Sequence, residues 1–109
     1  MQLTASARIS VVVPVLNGAD VIVGALSSLV DQAGVELEII IADGGSTDAT
    51  LERVAEFSEH VDLVISERDD GQADALNKAF ARAGGEYFGW LCADDRLLPG
   101  ALQALAAAL

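Results

Sequence analysis

"ISVVVPV" (Ile9–Val15) and "LEIIIA" (Leu37–Ala42) decide the fold of this chain. Both runs are apolar almost throughout and rich in β-branched residues. Neither shows the sustained polar alternation of a strand with one wet face, so both read as strands covered on both faces, as in a parallel sheet. Two shorter runs follow, "DLVIS" (Asp62–Ser66) and "YFGWLC" (Tyr87–Cys92).

The segments between and after these runs carry a helical period. Ile22, Leu26, Leu29, Val30 and Ala33 make one stripe, and Leu51, Val54 and Ala55 make a second between charged neighbours. Ala73, Leu76, Phe80 and Ala83 make a third. Leu98, Leu102, Leu105 and Leu109 make a fourth, with Pro99 near its start, where a first helical turn accepts proline. Four β-α units in succession predict an α/β fold, a mostly parallel sheet with helices on its faces. Residues 1–109 read as a single domain. The last stripe is still running at Leu109 with no stop signal. That predicts a chain cut from something longer, an exposed apolar face, and a homodimer through that face.

The chain has 17 acidic residues against 6 basic ones and a net charge of −11. A nucleic-acid backbone or an anionic membrane surface would be repelled. No apolar run approaches the roughly 20 residues of a membrane span, and "MQLTASARIS" lacks the features of a signal peptide. Cys92 is the single cysteine, which excludes an internal disulfide framework and suits a cytoplasmic, reducing compartment.

In doubly wound sheets ligands bind beyond the carboxyl ends of the strands, where the strand order reverses. The polar clusters "PVLNGAD", "ADGGSTDAT", "SERDDGQAD" and "CADDR" all fall at such ends. With a strand order of 3-2-1-4, Asn17 and the Asp94–Asp95 pair flank one crevice, and Asp43 lies one strand away. Each group also has a plainer reading. Asp43-Gly44-Gly45 makes a turn as readily as a site, with Ser46 or Thr47 capping the next helix. Asp94 and Asp95 read equally as a solvated loop with Arg96 as partner, and Asp74 with Lys78 as an i, i+4 surface pair. Asn77 is spaced to turn with Ala73 and Phe80 toward the apolar face, where a buried amide needs partners. Cys92 beside two carboxylates reads as an unreactive thiol, and His60 as a surface residue.

No dinucleotide G-x-G-x-x-G, Walker-type phosphate loop or G-x-S-x-G elbow is present. A strand-end crevice with clustered carboxylates remains. Two adjacent carboxylates raise each other's cost of ionisation unless a cation lies between them. Oxygen donors of this kind suit Mg2+ or Mn2+, which complete their shell with substrate phosphates.

The order of these motifs resembles the nucleotide-sugar-binding half of the family 2 glycosyltransferases, which have the Rossmann-like GT-A fold. The stretches that carry the resemblance are "ISVVVPVLNGADVIVGALSSLVDQ", "EIIIADGGSTDATLERV" and "ISERDDGQADALNKAFARAGGEYFGWLCADD". It implies a donor site for a nucleotide-diphosphate sugar, a UDP-sugar by preference, and transfer to a hydroxyl of a sugar or lipid-linked acceptor in cell-wall or polysaccharide biosynthesis. By position, Pro14, Val15 and Asn17 would line the nucleotide pocket, and Asp43 would accept the N3–H of uracil. Asp74 and Asn77 would support the pocket. Asp94, with Asp95 beside it, would hold a divalent metal on the donor diphosphate. Cys92 replaces the first acid of the family's D-x-D motif, and Gly44 the second acid of its D-D-G-S-T-D turn. The resemblance places the general base beyond Leu109. The rival readings are a catalytically silent nucleotide-binding or interaction module of the same fold, a sugar nucleotidyltransferase, and a plain doubly wound domain.

Overall fold

The computed structural model describes residues 8–108. In chain order these form β1 (Arg8–Val15), α1 (Ile22–Val30), β2 (Glu36–Asp43), α2 (Thr50–Ala55), β3 (Leu63–Ser66), α3 (Gln72–Phe80), β4 (Tyr87–Trp90) and α4 (Ala101–Ala108). The four strands are parallel throughout and run in the order β3-β2-β1-β4, as expected from the sequence.

The two long apolar runs are buried on both faces because alternate residues feed two separate cores. Val11, Val13, Val15, Ile39 and Ile41 point to one side, against Ile22, Leu26 and Leu29 of α1, Val54 of α2 and Leu102 of α4. Val12, Ile40 and Ala42 point to the other, against Ala75 and Ala79 of α3. Each large aliphatic side chain so buried contributes about 1.5–3 kcal/mol, which makes these two layers the main source of stability.

Several helical stripes are narrower than their spacing predicts. α1 stops at Val30, and Ala33 is exposed beyond it. In α2 only Val54 of the predicted trio is buried; Leu51 and Ala55 face out. Ala73 and Asn77 are exposed on α3, so Asn77 does not turn to the apolar face. The buried line runs instead through Ala75 and Ala79, flanked by Leu76, Phe80 and Ala83. Small side chains at these i, i+4 positions let the helix lie close on Val12 and Ile40, and that leaves Asn77 on the outer side.

The strand and helix limits move as well. β3 begins at Leu63, one residue later than expected, and β4 ends at Trp90 rather than Cys92. α3 packs chiefly over β1 and β2. Phe88 and Trp90 are consequently more than half exposed, although Phe88 stacks on Phe80 with ring centroids 5.8 Å apart. Leu98 precedes α4 and is 78% exposed, so the fourth stripe reduces to Leu102 and Ala106. Leu109 lies outside the described residues, as does the start of the predicted N-terminal segment. Among the described residues no helix is long and apolar enough to cross a membrane.

Candidate functional site

The chain leaves β1 for β2 on one side and reaches β4 on the other, so the strand order reverses between β1 and β4. A crevice must open there. A cavity of about 400 Å³ occupies it, walled by Pro14, Val15, Asn17 and Gly18 on the β1 side and by Cys92 and Asp94 on the β4 side. A second cavity of about 200 Å³ shares Pro14, Val15 and Leu16 and extends to Asp69, Gly71, Gln72 and Ala75. Together they form one furrow across the carboxyl ends of the strands. A larger hollow of about 540 Å³ lies against α1, lined by Asp20, Gly24, Ser28 and Arg96, and meets the furrow at Asp94.

Asp43 closes β2 in register with Val15 and is only 2% exposed. A buried carboxylate needs donors. Its Oδ2 accepts from Gly45 N (3.2 Å), Ser46 N (3.1 Å) and Ser66 Oγ (2.8 Å), and its Oδ1 accepts from Ser46 Oγ. All four donors belong to the chain itself. The carboxylate thus sets the turn after β2 and ties it to β3.

The loops after β1 and β2 are stitched together. Asn17 has a left-handed backbone (φ 51°), a conformation asparagine tolerates better than most residues. Its N–H donates to Ser46 Oγ at 2.8 Å, and its Oδ1 accepts from Thr47 N at 2.8 Å and Asp48 N at 3.3 Å. Asp48 in turn accepts from Ala19 N (3.1 Å), from Thr50 N (2.9 Å) and from the Thr50 hydroxyl. The Thr50 hydroxyl bond leads the causes that lower the Asp48 pKa. Neither Ser46 nor Thr47 caps α2; Asp48 serves the first turn instead.

At the β4 end, ligand atoms of Cys92, Asp94 and Asp95 all lie within 4.8 Å of one another. The turn is held by Asp95 N donating to Cys92 O at 2.9 Å, and Gln72 Nε2 donates to Cys92 Sγ at 3.4 Å. Two oxygen ligands of one Mg2+ ion stand up to about 4.2 Å apart. The carboxylates therefore fit a divalent ion after small closure, with open solvent around them for water or phosphate oxygens. Arg96 makes no ion pair with them among the described residues. Its guanidinium lies over Gly24 of α1, where a Cβ would meet its Nε at 2.6 Å.

Asp74 and Asn77 stand away from both furrow cavities. Asp74 accepts from Asp70 N (2.9 Å) and pairs with Lys78 Nζ (3.3 Å), and these contacts lower its pKa, the Asp70 bond most. It shapes the loop between β3 and α3. Asp69 of that loop and Gln72, the first residue of α3, line the furrow, and sequence reading left both out of the site, although "SERDDGQAD" stood at the correct sheet edge.

An all-parallel α/β sheet with a furrow at its strand-order reversal is a doubly wound domain with a ligand-binding edge. The chain belongs to glycosyl transferase family 2, whose model matches residues 10–109. It is 37% identical over 91 residues to a putative teichuronic acid biosynthesis glycosyltransferase of Bacillus subtilis, covering 81% of this chain and 36% of the relative. It is 33% identical over 107 residues to a PGL/p-HBAD biosynthesis glycosyltransferase of Mycobacterium bovis, covering 95% and 42%. S. aureus TarS 1-349 in complex with UDP superimposes with a TM-score of 0.84 at 30% identity, over 92% of this chain and 31% of that one. The mannosyltransferase PcManGT of Pyrobaculum calidifontis, in complex with GDP-Man and Mn2+, superimposes with a TM-score of 0.81 at 32% identity, over 94% and 31%. The chain thus spans about a third to two fifths of the length of these proteins.

Proposed function

We propose that residues 1–109 form the donor site of a metal-dependent hexosyltransferase that moves a sugar from a nucleotide diphosphate, UDP by preference, to an acceptor hydroxyl. One observation carries this reading: the Cys92, Asp94 and Asp95 ligand atoms converge at the β4 end of a furrow whose other wall is Pro14, Val15 and Asn17. Complexes of structural neighbours with UDP-GlcNAc and with GDP-Man and Mn2+ support it.

In this reading Asp94 and Asp95 hold Mg2+ or Mn2+. When bound there, such an ion would supply positive charge against the donor diphosphate and the leaving nucleoside diphosphate. A net charge of −11 would otherwise repel an anionic donor. Pro14 and Val15 offer apolar wall to the nucleoside. Asn17, with its amide oxygen committed to Thr47 and Asp48, fixes the loop that frames it. Asp74 supports the β3–α3 loop from behind, with Asn77 on the helix surface one turn further. No described residue is assigned the role of general base. The lone cysteine suits a cytoplasmic location, and the teichuronic acid relative suits a role in cell-wall polysaccharide synthesis. The exposed Phe88 and Trp90 offer an apolar patch for self-association.

Calorimetric titration of UDP in the presence of Mn2+, repeated with EDTA and with Asp94→Ala, tests the reading. Metal-dependent binding that Asp94→Ala abolishes is the expected result. Binding that ignores both metal and mutation would sink it.

A further inference from the structure

Gly24, Ser28 and Gln32 follow one another at i, i+4 and i+8, so they share one face of α1. Gln32 lies two residues past the last turn, but its N–H donates to Leu29 O and its Nε2 to Ser28 O, both at 3.1 Å, and this continues the row. That face meets, in step, the chain that leaves the acidic turn. The Arg96 guanidinium lies over Gly24, where a Cβ would meet Nη2 at 2.7 Å. Leu97 N–H donates to Ser28 Oγ at 3.0 Å, and the hydroxyl donates to Ala25 O at 2.7 Å. Gln32 Nε2 donates to Leu98 O at 2.9 Å, and its Oε1 accepts Leu102 N–H at 2.9 Å.

Gln32 is 8% exposed and its amide is engaged at both ends. Leu102 is the second residue of α4, so its N–H belongs to the first turn, which has no partner inside its own helix. Docking α4 would need that bond alone. The bonds to Leu97 and Leu98 lie outside α4, two and three residues after Asp95. At the other end of the turn, Leu91 N–H donates to Val12 O on β1 at 2.9 Å. Residues 92–96 thus hang between β1 and α1, closed on themselves by Asp95 N–H donating to Cys92 O at 2.9 Å. Asp94 and Asp95 are both exposed, so their place depends on these anchors more than on packing. α1 begins at the opposite wall of the furrow, where Gly18 O accepts Ile22 N–H at 2.9 Å. One helix joins both walls.

Given the donor-site reading above, on which this rests, we infer that Ser28 and Gln32 are positioning residues for the Asp94–Asp95 pair: they fix the far anchor of the acidic turn and so set where its two carboxylates stand. A turn already held at both ends loses less freedom when a cation binds, so an anchor removed weakens binding.

The test is titration of Mn2+ without nucleotide, followed by water-proton relaxation, with amide exchange at Asp95 measured in the metal-free chain. Ser28→Ala and Gln32→Leu should each weaken Mn2+ binding about five-fold, the size of one lost hydrogen bond, and should speed Asp95 exchange. Ser28→Thr keeps the hydroxyl, and Ser28 lines the hollow of about 540 Å³, which leaves room for a methyl group. It should bind as the wild type does. Val54→Ala, in the same apolar core but outside the tether, should lower the melting temperature and change neither readout. Wild-type affinity in Ser28→Ala or Gln32→Leu overturns the inference and leaves the donor site standing. An equal loss in Val54→Ala, or in Ser28→Thr, overturns it too, because affinity then follows stability or shape. If Gln32→Leu does not fold, Ser28→Ala against Ser28→Thr decides. Mn2+ binding that is absent from the wild type, or indifferent to Asp94→Ala, removes the metal-dependent donor site and this inference with it.

Discussion

Thr47 N–H donates to Asn17 Oδ1 across 2.8 Å, joining two loops thirty positions apart in sequence. With Ser46 Oγ receiving Asn17 N–H at 2.8 Å, the bond makes the furrow wall one body rather than two loops. Asn17 supplies both the amide oxygen and the left-handed backbone this needs. Asn17→Gly should keep the backbone and lose the side-chain bonds, at about 1 kcal/mol. Asn17→Ala should add left-handed strain and cost about 2 kcal/mol or more. Urea denaturation midpoints would order the two variants, and an Ala variant as stable as the Gly variant would remove the strain argument.

Cys92 stands where a carboxylate would complete a three-acid cluster with Asp94 and Asp95. Cys92→Asp should tighten Mn2+ binding several-fold, because a hard divalent ion prefers oxygen to a thiol. Paramagnetic titration of Mn2+ without nucleotide reads this directly. Unchanged affinity would place the ion away from Cys92.

Gly85 sits against β1 with no room for a side chain. A Cβ would lie 2.5 Å from Ser10 Oγ, 2.8 Å from Ser10 N and 3.0 Å from Arg8 O. Two of these atoms are backbone and cannot swing away. Gly85→Ala should cost about 1–3 kcal/mol through displacement of the chain entering β4. A lowered melting temperature together with weakened nucleotide binding is expected, since the same displacement moves Asp94.

Glu38 reports on that seam through pH. Gly84 N–H donates to its Oε1 at 2.8 Å and Ser10 Oγ at 2.7 Å, with Arg8 Nη2 3.5 Å from Oε2. The Gly84 bond, then Ser10, then Arg8 hold its pKa below the ordinary glutamate value against the opposing effect of burial. A depressed folded pKa contributes stability that is present above the unfolded pKa and is lost as pH falls through the folded one. The wild type should therefore exceed Glu38→Gln in stability at neutral pH, and the gap should close on acidification to about pH 3. A gap that stays constant across this range would show that Glu38 acts through shape and not charge.

β1 and β2 were legible from Ile9–Val15 and Leu37–Ala42 because burial on both faces leaves an unbroken apolar run, and that signal needs no knowledge of neighbours. Asn77 was misplaced because a stripe drawn through Ala73 and Phe80 gives weight to spacing, whereas close helix-to-sheet contact is set by the small Ala75 and Ala79. Leu98 looked helical by period, yet α4 begins only after Pro99 and Gly100. The acidic cluster was readable from "CADDR", since strand ends and carboxylates are both sequence features. Asp69 was not. Its carboxylate lies where a Cβ on Gly44, in another loop, would stand 2.9 Å from Oδ2, a relation visible only in three dimensions. Ser66 reaching from β3 to satisfy Asp43 is hidden for the same reason.

The furrow's two walls meet late along the chain. β1 pairs with β2 from Arg8↔Glu36 onward, but β4 joins β1 only through Ile9↔Tyr87 and the three pairs after it. Closing the longer loop costs more chain entropy, and distant parallel pairings form slowly. β4 is also half the length of β2. It should be the last strand to dock during folding and the first to detach in a partial opening. The β1–β4 seam, four pairs long against eight between β1 and β2, is then the one that borders the proposed nucleotide furrow. A nucleotide spanning Asn17 and Asp94 would act as a clasp, and amide exchange at Leu91, whose N–H bonds Val12 O at 2.9 Å, would slow on binding before any residue of β2 responded.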